Sequence, residues 1–382
     1  MRLNVVTKGL IGLLALLPVA AFAEYGLNMP RGATEFSENV YELHMIIFWI
    51  CVVIGVLVFG AMIVSMIRDR KSKGVVAEQF SHSTKAEVIW TVIPIIILIA
   101  MAVPATKSLI EMEQPQAMDM TIKVTGYQWL WKYDYKDEGI SIVSRLDNES
   151  NIARQLDSGV DPATVDNYLL NVDNPLVIPE DTNIRFLLTA DDVIHAWWVP
   201  EFGWKRDAIP GFINQAWTNV KEPGIYRGQC AELCGKDHGF MPIVVEVKTK
   251  EDYAAWVLEQ KGEAVAEVEA TEESWSQQDL MARGESVYSG NCMSCHQADG
   301  SGMSTAFPAL VGSEVVEGNV HEQIELILHG RTGTAMVGFE QTLSDIDIAA
   351  VVTYTRSKFG NQAEEVVQPN LVKEIKSNQE EI

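Results

Sequence analysis

The segment "GQCAELCGKDHGFM", residues 228–241, decides how this chain is read. It places Cys230, Glu232, Cys234, His238 and Met241 in one short loop. Thiolate, imidazole and thioether are the donors that soft and borderline metals prefer. A further imidazole, His195 in "DDVIHAWWVP", lies upstream at the end of a strand-like run. A mononuclear blue copper site uses two histidines, one thiolate and a weak methionine. Two thiolates are one too many for that. They suit two coppers that share both sulfurs, each copper taking one imidazole. Met241 then serves one copper as a weak axial ligand, and a backbone carbonyl near Glu232 serves the other. Such a pair spreads one electron over both metals, so little geometry changes on transfer. A zinc site of two cysteines and two histidines has the same ligand types. The thioether in so short a loop and the strand-rich surroundings favour copper. A plain disulfide would leave both histidines without a purpose.

Those surroundings run from about Gln114 to Leu258. Short stretches rich in β-branched and aromatic residues recur there: "MTIKVTGYQWLWKYDY", "NPLVIP", "NIRFLLTA", "QAWTNV", "GIYRGQC" and "MPIVVEVKT". Turn formers separate them, which indicates an antiparallel sandwich or barrel. Residues 137–172 are acidic and weakly patterned, and read as an inserted loop.

Further out, the N-terminal side is apolar. Arg2 and Lys8, the run Leu10–Val19 and Ala21-Phe22-Ala23 form a secretory signal with a cleavage site. Cleavage there removes two positive charges and no negative ones, taking the net charge from −23 to −25. Met45–Ile67 is 23 residues without a charge, and Val88–Thr106 is a second run of 19. At about 1.5 Å per residue, runs of this length can cross a hydrocarbon core of about 30 Å. Pro94 in the second run is tolerable in such a helix. Arg68, Arg70, Lys71, Lys73 and Lys85 lie between them and place that loop in the cytoplasm. Both ends of the hairpin then face outward. A chain this acidic repels nucleic-acid phosphates, so no nucleic-acid partner is expected. The charge suits a cationic partner, or equally serves only to keep a periplasmic domain soluble.

On the C-terminal side, residues 259–273 carry six glutamates and one lysine, the composition of a solvated linker. Beyond it, Cys292-x-x-Cys295-His296 is the c-type haem attachment pattern. The two thiols form thioethers and the adjacent histidine ligates the iron. The sixth ligand of an electron carrier is suitably a methionine. Met303 is too near the motif to reach round the ring, and Met336 lies 40 residues beyond His296. His321 and His329 read as surface helix residues. In "LSDIDIAAVVTYTRSKFG", Ile346, Ile348, Val351, Val352 and Tyr354 fit one broad helical face.

The segments "DVIHAWWVPEFGWKRDAIPGFINQAW" and "GIYRGQCAELCGKDHGFMPIVVEV" resemble subunit II of the haem-copper cytochrome c oxidases. "GYQWLWKYDY" and "EVIWTVIPIIIL" extend that resemblance over roughly residues 25–258. Residues 275–361 resemble a class I cytochrome c, and the fusion resembles the caa-type subunit II. The resemblance implies a membrane-anchored multidomain chain: a two-helix transmembrane hairpin, a cupredoxin-like β-sandwich and an all-α cytochrome c domain. The implied division is a signal peptide (1–23), the hairpin (24–110, spans about 45–67 and 88–106) and a CuA cupredoxin domain (111–258). An acidic linker (259–274), the cytochrome domain (275–361) and a loosely held polar tail (362–382) follow.

It further implies a binuclear CuA centre held by His195, Cys230, Cys234, His238, Met241 and the carbonyl of Glu232. The Glu232 carboxylate would also reach a magnesium shared with subunit I. Trp129 matches the tryptophan of electron entry, and Glu87 a glutamate at the mouth of a proton path. The implied role is electron entry into a respiratory oxidase in a bacterial inner membrane. Electrons would come from a cytochrome c-type donor through the haem c of Cys292, Cys295, His296 and Met336. Subunit I, with subunit III beside it, would reduce oxygen to water and pump protons.

Overall fold

The computed structural model describes residues 28–76, 79–113, 117–303, 307–363 and 365–380. The expected signal peptide, residues 1–23, lies outside the described residues. Two long helices come first, α1 (Glu35–Arg68) and α2 (Thr84–Glu113). Thr34 caps α1 in a capping box with Ser37. Both helices exceed the apolar runs within them, because their charged ends continue the helix beyond the apolar stretch. Their apolar side chains are almost all exposed: Val56, Leu57, Phe59, Leu98 and Val103 are each more than 60% accessible. An apolar surface that large is not stable against water, and each helix is long and apolar enough to span a bilayer.

The sandwich consists of β1 (Met120–Tyr127), β2 (Leu130–Tyr135), β3 (Ile140–Ser144), β4 (Leu176–Pro179), β5 (Ile184–Ala190), β6 (His195–Val199), β7 (Trp204–Ala208), β8 (Asn214–Thr218), β9 (Gly224–Cys230) and β10 (Pro242–Lys248). One sheet has the order β3-β2-β1-β5-β8, the other β4-β10-β9-β6-β7. Their inner faces meet in a core of Ile122, Val124, Trp131, Tyr133, Phe186, Trp197 and Ile243. Burying an aromatic of this size removes about 150–250 Å² from water, worth roughly 4–6 kcal/mol before entropy. The sheets are mixed rather than antiparallel. β1 runs parallel to β5 and β4 parallel to β10, since the long excursions between these neighbours act as crossovers. The expected loop 137–172 is not wholly irregular. It contains β3, where Ile140 and Ile142 alternate inward, and a short helix α3 (Asn148–Ala153) capped by Asp147.

The acidic segment 259–274 is also not an unstructured linker. It lies largely within α4 (Lys250–Thr271), so the expected boundary at 258/259 falls inside a helix. Its alanines, glutamates, glutamine and lysine are strong helix formers, and that propensity outweighs the charge. Tyr253 and Trp256 seat its first half on Tyr135 of the sandwich. At its other end Glu267 pairs with Arg283 at 2.9 Å.

The C-terminal domain contains α5 (Gln277–Asn291), α6 (Met293–His296), α7 (Glu314–Glu317), α8 (Val320–His329), α9 (Asp345–Ser357) and α10 (Pro369–Glu380). Helix α9 is buried on nearly every side, not on one face: Ala349, Ala350, Thr353, Thr355 and Arg356 are buried with the expected residues. Helix α10 explains this and corrects the expectation of a loose tail. Val367, Val372 and Ile375 are buried against the core that includes α9, so a few well-spaced apolar residues anchor an otherwise polar segment.

Candidate metal centre and haem-attachment site

β6 starts at His195 and β9 ends at Cys230, and the two strands pair at Trp197 and Cys230. β9 and β10 form a hairpin whose connection is the ligand-rich loop. The Cys230 amide donates to the Met241 carbonyl at 3.4 Å, and the Ala231 amide to Ala196 at 3.0 Å. The loop is thereby fastened at both ends to packed strands. Gly126 on β1 has a steric role here. A Cβ there would come within 2.8 Å of the His195 ring, so only glycine leaves room for the imidazole.

At the loop the donor atoms converge. Cys230 and Cys234 bring their Sγ atoms to 3.8 Å. His195 Nδ1 is 4.0 Å from Cys230 Sγ, and His238 Nδ1 is 3.5 Å from Cys234 Sγ. Met241 Sδ lies 3.5 Å from Cys234 Sγ, and the Glu232 carbonyl 3.4 Å from Cys230 Sγ. Cys230, Cys234 and Met241 are all buried. A disulfide would need about 2.05 Å between the sulfurs. Bonds of about 2.3 Å to sulfur and 2.0 Å to nitrogen in a tetrahedron put S–S near ~3.8 Å and S–N near ~3.5 Å. The donor set therefore fits metal ions between the sulfurs.

The electrostatics agree. The Cys234 thiol facing Cys230 holds the Cys230 thiol well below its ordinary value, with His195 adding to the effect against burial. The same contact, together with burial, pushes Cys234 up. One sulfur is thus readily a thiolate, the form a metal takes. His195 Nε2 donates to Asp192 Oδ1 at 2.9 Å, which turns Nδ1 toward the sulfurs. Burial works to lower the His195 pKa, but the hydrogen bonds to Asp192 and Cys230 outweigh it and the net shift is upward. Asp192 was not among the residues read from the sequence. Its only signal was an acid three residues before a ligand-type histidine. Orienting partners of this kind are typically worth about 10–100-fold in metal affinity. Asp192→Ala is accordingly expected to weaken copper retention by about that factor, read by competition with a chelator.

Trp129 is half-buried against the same loop. Its Nε1 donates to the Cys234 carbonyl at 3.3 Å, beside Gln128 Nε2 at 2.8 Å. A Cβ on Gly235 would stand 3.1 Å from the Trp129 ring, so indole and ligand loop are in direct contact. The Glu232 side chain is exposed. Glu87 lies in the first turn of α2, exposed, at the far end of that helix from the sandwich. The helix rise makes that about 40 Å.

In the C-terminal domain, Cys292 closes the last turn of α5 through its amide to Tyr288 at 2.9 Å. The next turn, α6, puts Cys295 and His296 three and four residues on, the spacing of one helix face. His296 Nδ1 bonds the Pro308 carbonyl at 2.9 Å, leaving Nε2 without a hydrogen bond among the described residues. Burial lowers the His296 pKa, which keeps the ring neutral as an iron ligand needs. The thiols of Cys292 and Cys295 are free. Together these residues fit covalent haem attachment. Met336 is half-buried in a tight loop. Its carbonyl accepts from Arg331 at 2.9 Å and would lie 2.4 Å from any Cβ on Gly330, whose φ is +71°. Met303 is pinned by Phe307 at 2.7 Å. His321 and His329 are exposed on α8.

Comparison with known proteins bears on this geometry. Residues 120–248 match the family model described as cytochrome c oxidase subunit II, periplasmic domain. Residues 23–107 match the transmembrane domain of the same subunit. A probable cytochrome c oxidase subunit 2 of Rickettsia bellii is 42% identical over 258 residues, covering 66% of this chain and 91% of the relative. The chain belongs to the cytochrome c oxidase subunit II family. The subunit 2 of Candida albicans is 37% identical over 236 residues, or 62% of this chain and 88% of that one. The crystal structure of the periplasmic domain of subunit II of cytochrome oxidase of Bradyrhizobium japonicum matches 39% of this chain and 99% of that domain. Its identity is 39% and its TM-score 0.35. Residues 279–354 match the model described as cytochrome c oxidase, cbb3-type, subunit III. The chain is thus a subunit II with a C-terminal cytochrome c domain, anchored to a membrane by its N-terminal helices. The family implies a CuA copper centre and the cytochrome domain implies haem.

Proposed function

We propose that this chain is the electron-entry subunit of a respiratory cytochrome c oxidase. The observation that carries the reading is the convergence of two buried cysteine sulfurs of one loop with two imidazoles, His238 of the same loop and His195 at the start of β6. His195, Cys230, Cys234, His238, Met241 and the Glu232 carbonyl would hold the CuA pair. Cys292 and Cys295 would anchor the haem, with His296 Nε2 and Met336 on its iron. When bound, these groups supply one-electron carriers that work without bond making. The protein's own part is positional. Asp192 orients His195, the β6 and β9 ends hold the sulfurs, and Trp129 links the solvent side to the Cys234 carbonyl. That contact suits Trp129 to electron entry.

The positive loop between α1 and α2 supports an orientation with that loop in the cytoplasm and both cofactor domains outside a bacterial inner membrane. Oxygen reduction and proton pumping belong to a partner subunit I, with subunit III beside it. The exposed Glu232 carboxylate is free to meet a magnesium at that partner, and Glu87 stands where a proton could enter from the cytoplasm. A cytochrome c-type donor supplies the electrons.

The test is a metal count and optical spectrum of the purified complex. Two coppers with a near-infrared band, and one covalently bound haem in this chain, are expected. A single zinc at Cys230 and Cys234 would end the reading. Met336→Ala is expected to lower the haem potential and open the iron to added cyanide. An unchanged ferric methionine charge-transfer band would assign the sixth ligand elsewhere.

A further inference from the structure

The insert at residues 145–154 and the copper loop carry a set of contacts that electron entry alone does not explain. Asn151 is 5% exposed, and its Nδ2 donates to the Ser289 carbonyl at 2.7 Å. Lys132 Nζ donates to the Gln341 carbonyl at 2.9 Å, and Lys236 Nζ to the Ser294 carbonyl. In each case a side chain of the sandwich domain meets a main-chain carbonyl of the cytochrome domain. Two of the carbonyls are ones that helix geometry leaves without partners, Ser289 in the last turn of α5 and Ser294 in the single turn α6, whereas Gln341 lies in the turn before α9.

Two of these contacts connect the cofactor sites. Ser294 stands between Cys292 and Cys295, and Lys236 stands between Cys234 and His238. Asn151 Oδ1 also accepts from Arg154 Nε at 2.8 Å, and Arg154 pairs with Asp237 at 3.1 Å, next to His238. That ion pair is itself nearly buried, at 13% and 5% side-chain exposure, so it cannot shift without leaving a charge unpaired.

We infer that the insert, with Lys132 and Lys236, is a dock for the chain's own cytochrome domain, holding the haem-attachment turn against the copper loop. Asn151 and Lys236 are its positioning residues. The inference rests on the cofactor assignment above. With haem held by Cys292, Cys295 and His296 and copper by Cys230 and Cys234, the step it would serve is a single electron transfer from one group to the other, with no proton moved. Its rate depends on the fixed placement of the two loops.

The test uses the purified oxidase carrying Asn151→Ala, and separately the double variant Lys132→Met/Lys236→Met. Hydrogen exchange is followed at amides 289–296, and heme-to-copper transfer is timed after flash reduction of the haem. One lost hydrogen bond to a buried group changes a docked population about tenfold. Exchange should therefore rise about tenfold, and transfer should slow, with the near-infrared and haem bands unchanged. Wild-type exchange and wild-type transfer in both variants would overturn the dock. The double variant alters partly or fully exposed side chains, so it decides the matter if Asn151→Ala does not fold. A parent protein lacking the near-infrared band would sink the copper assignment instead, and the exchange measurement would still judge the dock.

Discussion

Cys230→Ser is expected to abolish the near-infrared copper absorption and cut copper content from two ions to one or none. The serine hydroxyl is a hard donor that stays protonated at neutral pH, so it does not replace a bridging thiolate. What remains near the loop is one thiolate, Cys234, with His238 Nδ1 at 3.5 Å and the thioether Met241 Sδ at 3.5 Å. That is a set for a single metal. His195, 4.0 Å from the lost sulfur, would be left with Asp192 alone. Loss of a direct ligand should exceed the roughly 10–100-fold effect of losing an orienting partner, so oxygen uptake driven by a cytochrome donor should fall by at least about a hundredfold. The haem should stay attached, because Cys292, Cys295 and His296 lie in a separate domain. Retention of the near-infrared band in this variant would show that Cys230 is not a bridge.

How much of this was legible in the sequence follows from where the information sits. Ligands crowded into one loop announce themselves, since Cys230, Cys234, His238 and Met241 need only the β9–β10 hairpin to bring them together. The apolar runs were equally plain, because no soluble packing hides a helix as exposed as α1. What escaped depended on contacts distant in sequence. Asp192 and Gly126 acquire their roles only once the two sheets pack face to face and bring Gly126 of β1 against His195 at the start of β6. The helix α4 was concealed by its charge, since solvated composition and helix propensity coexist in one segment. The buried seat of α10 rests on Val367, Val372 and Ile375, too few to stand out in a polar tail. The docking contacts of Asn151 and Lys236 point at main-chain carbonyls, which every residue possesses and no sequence marks.

Gly284→Val tests a second such hidden contact, and its effect should be large. Gly284 lies on α5 where that helix crosses α9. A Cβ there would stand 2.2 Å from the Ala350 carbonyl oxygen and 2.6 Å from Tyr354 Cβ. Ala349 and Ala350 on the facing helix are fully buried, so the two backbones touch and neither side chain can yield. A branched residue must push the helices apart. That would also disturb the ring contacts of Tyr288 with Tyr354 and Phe359, at 5.6 and 5.1 Å, which sit beside the Cys292 amide. Overpacking a tight core costs about 1–3 kcal/mol and occasionally more. Domains of this size are stable by only about 5–15 kcal/mol. At about 4–8 °C per kcal/mol, a loss in the upper half of that range, about 2 to 3 kcal/mol, lowers the haem domain's melting temperature by roughly 8–24 °C. The copper band should persist, since the core of Trp131, Trp197 and Phe186 contains no residue of α5 or α9. Following haem and copper absorption together during heating separates the outcomes. An unchanged haem transition would mean the helices do not cross at Gly284, and simultaneous loss of both bands would mean the docked domains unfold as one unit.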